Sequence, residues 1–449
     1  MTPSYPIKLI PLGGLGEIGQ NMLVVEYQEE IIIIDAGLIF PHSKLTNVDF
    51  GIPDTSYLEN KKNNIKAILV THGHEDHIGA IPHLLEKIQA PVYSSPLTTH
   101  LIKSKLRRTK THNSSVVVFK EIEANTQIQI GPFEITFFRV THSIPDSMGI
   151  AINTPCGMII HTGDFKIDQT PNDGIRSDLS HIASIAKDGV LILCSDSTYA
   201  ELPGYSESES LVRNSFSRIM MNSQDRLIIA TFASLITRIQ AIIDLAHQYD
   251  RNVSVMGRSM VRNLKIAQST GHIKDPYSVL KPINEVNKLP PHKAIIVGTG
   301  GQGESNSFIT KLSKQAHSEV KISSKDTIII SSSPIPGNEP NMGIVIDNLL
   351  RCGAKVIYNK IDTVHVHGHA RQEELKLMLS ITNPKFFVPI HGELRHLVAH
   401  SNLAASMGFS RDNIFVLEKG DVLEINPNKA KVAGSVPAGT IYIKNETSS

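Results

Sequence analysis

Thr71-His72-Gly73-His74-Glu75-Asp76-His77 places four candidate metal ligands within six residues. Imidazole nitrogens and carboxylate oxygens hold divalent cations in hydrolytic sites, which keep a position open for water. His72 and His74 are two apart, so in an extended loop both imidazoles point the same way. Asp76 and His77 lie at the following bend and can address a second point a few ångströms away. This is the spacing of a two-metal centre that lacks part of its ligand set. Later in the chain His142, Asp164 and His391 each stand at or just beyond a strand candidate. His72, His74 and His142 make a three-histidine site, Asp76, His77 and His391 a mixed one, and Asp164 can bridge them. Two cations ~3.5–4 Å apart would hold the attacking and leaving oxygens of a displacement. Such nitrogen and oxygen donors accept Zn²⁺ or Mn²⁺, with Zn²⁺ the first expectation.

The elements that must position these residues can be read around them. Lys66–Val70 reads as a buried strand and Ile78–Leu85 as the start of a helix, so the first four ligands sit on a strand-to-helix loop. Other strand candidates are 7–12, 22–27, 31–34, 91–94, 115–120, 127–130, 133–140, 149–153 and 158–161, with a further one ending at Asp196. Strand ends of one sheet layer lie near one another, so the scattered ligands can converge. Asp35 follows four isoleucines, and a buried charge needs a partner. Orienting a ligand histidine would give it one. The glycine-rich stretch Gly13–Gly19 precedes no helix and reads as a tight turn between strands rather than a phosphate loop.

Near residue 208 the texture changes. Ser206 and Glu209 form a capping-box pattern opening a helix. Strands at 227–231, 253–256, 294–297, 327–330 and 355–358 then alternate with helices, the rhythm of a doubly wound parallel sheet. Two strand ends, Gly298–Glu304 and Ser331–Gly337, are small-residue loops entering helices, where backbone N–H groups can meet an anion. His365-Val366-His367-Gly368-His369 follows; in a strand its three imidazoles would share one side and could bind a metal themselves. A helix at 372–380, a strand at 386–390, a helix at 394–407 and strands at 414–417, 422–425 and 440–443 close the chain. Residues 208–364 therefore read as a domain inserted between 1–207 and 365–449, with 445–449 frayed.

Composition bounds the rest. With 449 residues, two or three domains are expected. A net charge of +1 means that any polyanion binding needs local basic patches. Lys103, Lys105, Arg107, Arg108 and Lys110 on one helical stretch are either a solvated face or a backbone-tracking patch. The three cysteines contain no CxxC pair, which fits a reducing compartment. The start has no signal-peptide pattern and the apolar runs are too short to span a membrane, so a cytoplasmic enzyme is the default.

The set Asp35, His72-x-His74-x-Asp76-His77, His142 and Asp164 resembles the metallo-β-lactamase superfamily. Asp196, His369 and His391, spread around an inserted α/β domain, resemble the additional motifs of its nucleic-acid-processing β-CASP branch. Within that branch the chain is similar to the bacterial ribonuclease J family, through residues 11–21, 71–80, 195–201, 365–378 and 389–394. The resemblance implies an α/β fold, an αββα sandwich carrying an inserted doubly wound domain that forms one wall of an RNA cleft. It implies a metal-dependent ribonuclease of RNA maturation and mRNA decay, cutting internally and, from a 5′-monophosphate end, in the 5′-to-3′ direction. Asp76 would act in the catalytic centre, and His369, oriented by Asp196, would donate a proton to the leaving 3′-oxygen. A 5′-phosphate pocket would draw on Ser234, Gly300, Gly301, Ser331, Ser332, His365 and His369. Implied partners are single-stranded RNA, a second copy or a paralogue in a dimer or tetramer, and an RNA-decay complex. Two departures stand out. Family members usually carry a small residue where His367 stands, and they usually continue into a further domain of ~100 residues. The rival readings are a weakly active RNA-binding partner subunit, a DNA-processing β-CASP nuclease and a small thioester or lactam hydrolase.

Overall fold

The run Ile31–Ile34 shows how this sequence builds layers. All four side chains are essentially buried, Ile31 and Ile33 in one apolar cluster and Ile32 and Ile34 in another. A strand covered on both faces has no need of polar alternation, and each buried isoleucine contributes about 1.5–3 kcal/mol. The computed structural model describes residues 5–41, 48–109, 117–301, 304, 306–333 and 339–444. The candidate Lys110, parts of the loops at 298–304 and 331–337, and the frayed end at 445–449 lie outside those residues.

The core between Ile32 and Ile34 on one side and Phe137, Ile150 and Ile192 on the other joins two sheets. The first sheet has eight strands, ordered Ala430–Ser435, Asp421–Ile425, Ile7–Gly13, Met22–Tyr27, Glu30–Ile34, Ile65–Leu69, Val92–Ser94 and Phe119–Glu121. The second has six, ordered Phe386–Ile390, Val190–Asp196, Gly157–His161, Met148–Thr154, Phe133–Arg139 and Gln127–Ile130. Helices Ile81–Lys87 and Pro96–Thr109 cover the outside of the first sheet, and Leu179–Ala186, Gln372–Thr382 and Leu394–Ser406 cover the second. This is the αββα sandwich.

A third sheet of five parallel strands, ordered Asn252–Met256, Ala294–Gly298, Arg226–Thr231, Asp326–Ser331 and Lys355–Ile357, is the doubly wound insert. Its strands again alternate between two cores: Leu227 and Ile229 face one, Ile228 and Ala230 the other. The chain leaves the sandwich after Val190–Asp196, and the next strand it adds there is Phe386–Ile390, which pairs in parallel beside the first, Asp196 opposite Ile390.

Four expectations are corrected. The helix near 208 is capped by Ser208, whose side chain accepts from the Ser210 N–H, and not by Ser206. The Ser206 hydroxyl instead reaches the His369 carbonyl, and Glu209 turns inward to Arg238. Residues 414–417 form no strand; Ile414 makes a single bridge to Phe387. The connection after Ile7–Gly13 is a longer loop than a tight turn, reaching Met22 and bridging Gly392 through Leu15 and Glu17. Finally, the converging strand ends belong to two sheets rather than one.

Candidate metal centre and cleft

Parallel pairing puts strand C-termini along one edge, and both sheets of the sandwich present that edge to the same place. The first sheet delivers Asp35 and the loop after Ile65–Leu69, and the second delivers His142, Asp164, Asp196 and His391. The loop with His72–His77 is pinned by backbone bonds: Ala36 N–H donates to the His77 carbonyl at 2.8 Å, and Asn21 N–H to that of Asp76 at 2.9 Å. Position 37 must be glycine, since a Cβ there would lie 1.5 Å from the Asp76 carbonyl oxygen.

The ligand atoms converge on two points. Around the first, His74 Nδ1 lies 3.1 Å from both His72 Nε2 and His142 Nε2. Asp164 Oδ2 is 3.7 Å from each of the latter two nitrogens. Around the second, the same Asp164 oxygen is 3.2 Å from His77 Nε2 and 3.8 Å from His391 Nε2. Asp76 Oδ2 stands 3.3 Å from His391 Nε2 and 3.6 Å from His77 Nε2. A tetrahedral ion with bonds of 2.0–2.1 Å holds its ligand atoms about 3.3 Å apart. The donor set therefore fits two divalent cations, with Asp164 Oδ2 within reach of the nitrogens of both sets. Asp76 is the most accessible member of the second set, its side chain 29% accessible against 2–3% for His77, Asp164 and His391, so that set opens past it.

Electrostatics divide the two halves. Burial drives the His72 and His142 imidazoles well below their ordinary range, leaving neutral nitrogen donors. Burial also opposes charge on His391, but Asp164, Asp196 and Asp76 outweigh it and push its pKa to about 10. Burial would likewise raise Asp164, yet His391 and His77 hold it well below the usual carboxylate range. Against the opposing effect of burial, the neighbouring imidazoles hold Asp76, Asp164 and Asp196 all below the ordinary carboxylate range. The three are thus ionised and in need of positive charge, which bound cations would supply.

Each candidate ligand is oriented from behind. Asp35, in a left-handed conformation at φ 59°, accepts from Thr71 N–H and Oγ1 at 2.8 Å and lies 2.7 Å from His77 Nδ1. His142 Nδ1 meets the Gly368 carbonyl at 2.7 Å. His391 Nδ1 meets Thr198 Oγ1 at 2.6 Å, and that hydroxyl lies 2.7 Å from Asp196 Oδ1. The other Asp196 oxygen is 2.8 Å from His369 Nδ1. Asp35→Ala is therefore expected to weaken metal affinity roughly 10–100-fold, the range for losing such a partner. Titration against a competing chelator measures it, and unchanged affinity would remove Asp35 from the assignment.

Sequence reasoning missed Thr71, Thr198, Asn21 and Gly368. Thr198 was traceable in part, because Asp-x-Thr is a local pattern in which the aspartate accepts from the backbone two residues on.

The segment 363–370 is not a strand, and its three histidines do not share a side. His365 Nδ1 faces Arg238 at 2.8 Å, His367 Nδ1 faces Tyr199 OH at 2.8 Å, and His369 faces Asp196. Among the described residues, His365 and His367 join no potential metal cluster, which overturns the rival site. His367 leaves the Asp196–His369 pair intact.

Of the expected phosphate-pocket residues, Ser234 and Gly300 line a cavity of about 300 Å³ between sandwich and insert, together with His74. Gly301 packs on Ser332, whose hydroxyl donates to the Gly301 carbonyl at 3.1 Å. Ser331 and His365 are buried and committed elsewhere: both face Arg238, and Ser331 donates to the Val364 carbonyl at 2.7 Å. The structure does not bring those two side chains to the cavity.

Comparisons with known proteins agree with this architecture. Residues 15–181 match the metallo-beta-lactamase superfamily, 224–349 the beta-CASP domain of ribonuclease J, and 353–417 a Zn-dependent metallo-hydrolase RNA specificity domain. Ribonuclease J of Helicobacter pylori (strain B128) is 43% identical over 443 residues, 98% of this chain and 64% of that protein. Ribonuclease J of Thermus thermophilus is 42% identical and ribonuclease J2 of Bacillus subtilis 41%, over 98% and 97% of this chain and 78% of each relative. A crystal structure of a protein of unknown function from Enterococcus faecalis V583 superposes with a TM-score of 0.62 at 14% identity, covering 94% of this chain and 100% of that one, a likeness of fold. This chain spans about two thirds of the Helicobacter relative's length. On identity above 40% along almost all of its residues, the chain belongs to the ribonuclease J family.

Proposed function

We propose that this chain is a two-metal ribonuclease that hydrolyses phosphodiester bonds of single-stranded RNA. The observation that carries the reading is the shared Asp164 oxygen between two four-residue clusters, with the Asp196–His369 pair beside them. His72, His74, His142 and Asp164 would hold one cation, and Asp76, His77, His391 and Asp164 the other. Zn²⁺ is our first candidate and Mn²⁺ the second. Bound there, such ions supply Lewis acidity toward the phosphate and a water-derived nucleophile at neutral pH.

The chain's own residues do the rest. Burial opposes a charged His369, but the Asp196 carboxylate outweighs it and holds the imidazole above its ordinary value. With Nδ1 tied to Asp196, the Nε2–H is free to face the leaving 3′-oxygen and protonate it. Ser234 and the Gly300 and Gly301 backbone would meet a 5′-phosphate in the adjoining cavity, with Ser331 and His365 supporting that wall through Arg238 and Ser332 through its bond to the Gly301 carbonyl. Residues 1–207 and 365–449 would act as the catalytic body and 208–364 as the opposing wall.

In this reading the enzyme cuts internally and also degrades from 5′-monophosphate ends, in RNA maturation and mRNA decay in the cytoplasm, as a homo- or hetero-oligomer. The described residues contain no helix long and apolar enough to cross a membrane. End-labelled RNA carrying a 5′-monophosphate or a 5′-triphosphate, incubated with and without chelator, tests it. Chelator-sensitive release of mononucleotides is expected, faster from the monophosphate. Equal internal cutting of both would reduce the reading to an endonuclease, and cleavage surviving chelator would sink the metal assignment.

A further inference from the structure

Two helices from different parts of the chain pack against each other at the mouth of the cleft: Pro96–Thr109 of the sandwich and Arg258–Ser269 of the insert. Their sequences, PLTTHLIKSKLRRT and RSMVRNLKIAQS, hold seven lysines and arginines and not one aspartate or glutamate. Leu101, Leu106 and Met260 belong to one continuous apolar cluster, so the contact is a packed one. Only two of the seven cations have ion-pair partners among the described residues, Lys103 with Glu121 and Lys105 with Glu75. Arg107, Arg108, Arg258, Arg262 and Lys265 have none.

Arg262 is the telling member. Helical spacing puts it on the face with Ser259 and Asn263, and together with Lys105 it lines the cavity that reaches His74. It is partly buried, and burial first and the like charge of Arg108 second depress its pKa; Glu75, which lines the same cavity and is already paired with Lys105, only partly opposes them. A chain of net charge +1 thus gathers unpaired cations where two lobes meet, at a cost in self-repulsion. An anion lying between the helices would remove that cost.

We propose that these two helices form a track for the phosphate backbone of single-stranded RNA, with Arg108 and Arg262 gripping it from opposite lobes beside the cavity. This rests on the ribonuclease reading above, and adds to it the surface by which the strand reaches the centre. A single strand is favoured over other polyanions because the track runs into a cavity whose far wall is His74. Gripping from both lobes also makes bound RNA a bridge that holds sandwich and insert together.

The test uses Arg108→Gln, Arg262→Gln and the double variant, with Lys187→Gln, an exposed lysine far along the chain, as control. Affinity for a fluorescent single-stranded RNA is measured in chelator across a series of KCl concentrations. The slope of log affinity against log salt is expected to shrink by about 0.7 for each arginine removed and by about 1.4 for both. Thermal melting without RNA separates this from unfolding: relieving like-charge repulsion should leave the midpoint unchanged or raise it by about 1 °C. Slopes equal to the parent's, or an equal loss in Lys187→Gln, would overturn the track. A parent protein that binds no RNA at any salt would overturn the ribonuclease reading itself. Anionic phospholipid vesicles run in parallel: vesicle binding lost in the variants while the RNA slope stays put would assign the ridge to a membrane surface instead.

Discussion

Asp164→Asn is expected to lose metal from both clusters at once and to slow RNA cleavage by on the order of 10³-fold or more. Its Oδ2 lies within 3.2–3.8 Å of His77, His72, His142 and His391 nitrogens, so no other ligand touches both points. An amide keeps the shape but brings no negative charge. Losing an outer partner of a metal ligand already costs 10–100-fold, and a shared ligand should cost more. The substitution also leaves His77 and His391 without the largest charge that raises them. Elemental analysis of the purified variant and cleavage of labelled RNA measure the two effects, with circular dichroism to confirm folding. Full metal content together with cleavage within tenfold of the parent would refute the shared-ligand assignment.

His369→Ala is expected to cut single-turnover cleavage at saturating RNA by about 10²–10⁴-fold, the usual worth of a positioned proton donor. Metal content should not change, because His369 is in neither of the two four-residue sets proposed to hold the cations; it groups with Asp164, Asp196 and His391 and is tied by Nδ1 to Asp196. Asp196→Asn should show a similar loss, and the double variant little more than either alone, since the two act as one unit. An unchanged single-turnover rate would exclude proton donation. Unchanged RNA affinity as well would leave His369 without even a clamping role.

Legibility in the sequence followed the range of the physics. His72, His74, Asp76 and His77 announced themselves because the ligands of a loop lie close in the chain, and the isoleucine strands announced themselves by their unbroken apolarity. Strand ends carrying His142, Asp164, Asp196 and His391 could be named, though not assigned to a different sheet from the strand before His72, because pairing is decided by packing far along the chain. Local rules failed where a tertiary partner outbid them. Ser206 and Glu209 have capping-box spacing, but Glu209 is drawn to Arg238, a fully buried arginine that needs an anion. The three alternating histidines suggested a ligand face only on the assumption of a strand. Thr71 and Thr198 stayed invisible because a hydroxyl orienting an imidazole leaves no pattern of its own.

His391 sits 315 residues beyond Asp76, on a strand laid down only after the whole insert has been traversed. At synthesis rates of ~5–20 residues per second, that gap amounts to roughly 15–60 s on a translating ribosome. During that interval the nascent chain carries His72, His74, Asp76 and His77 but lacks the residue that closes the second half of the centre. On the ribonuclease reading proposed above, a nascent chain that has not yet reached His391 lacks a complete second half of the centre and is unarmed against its own message.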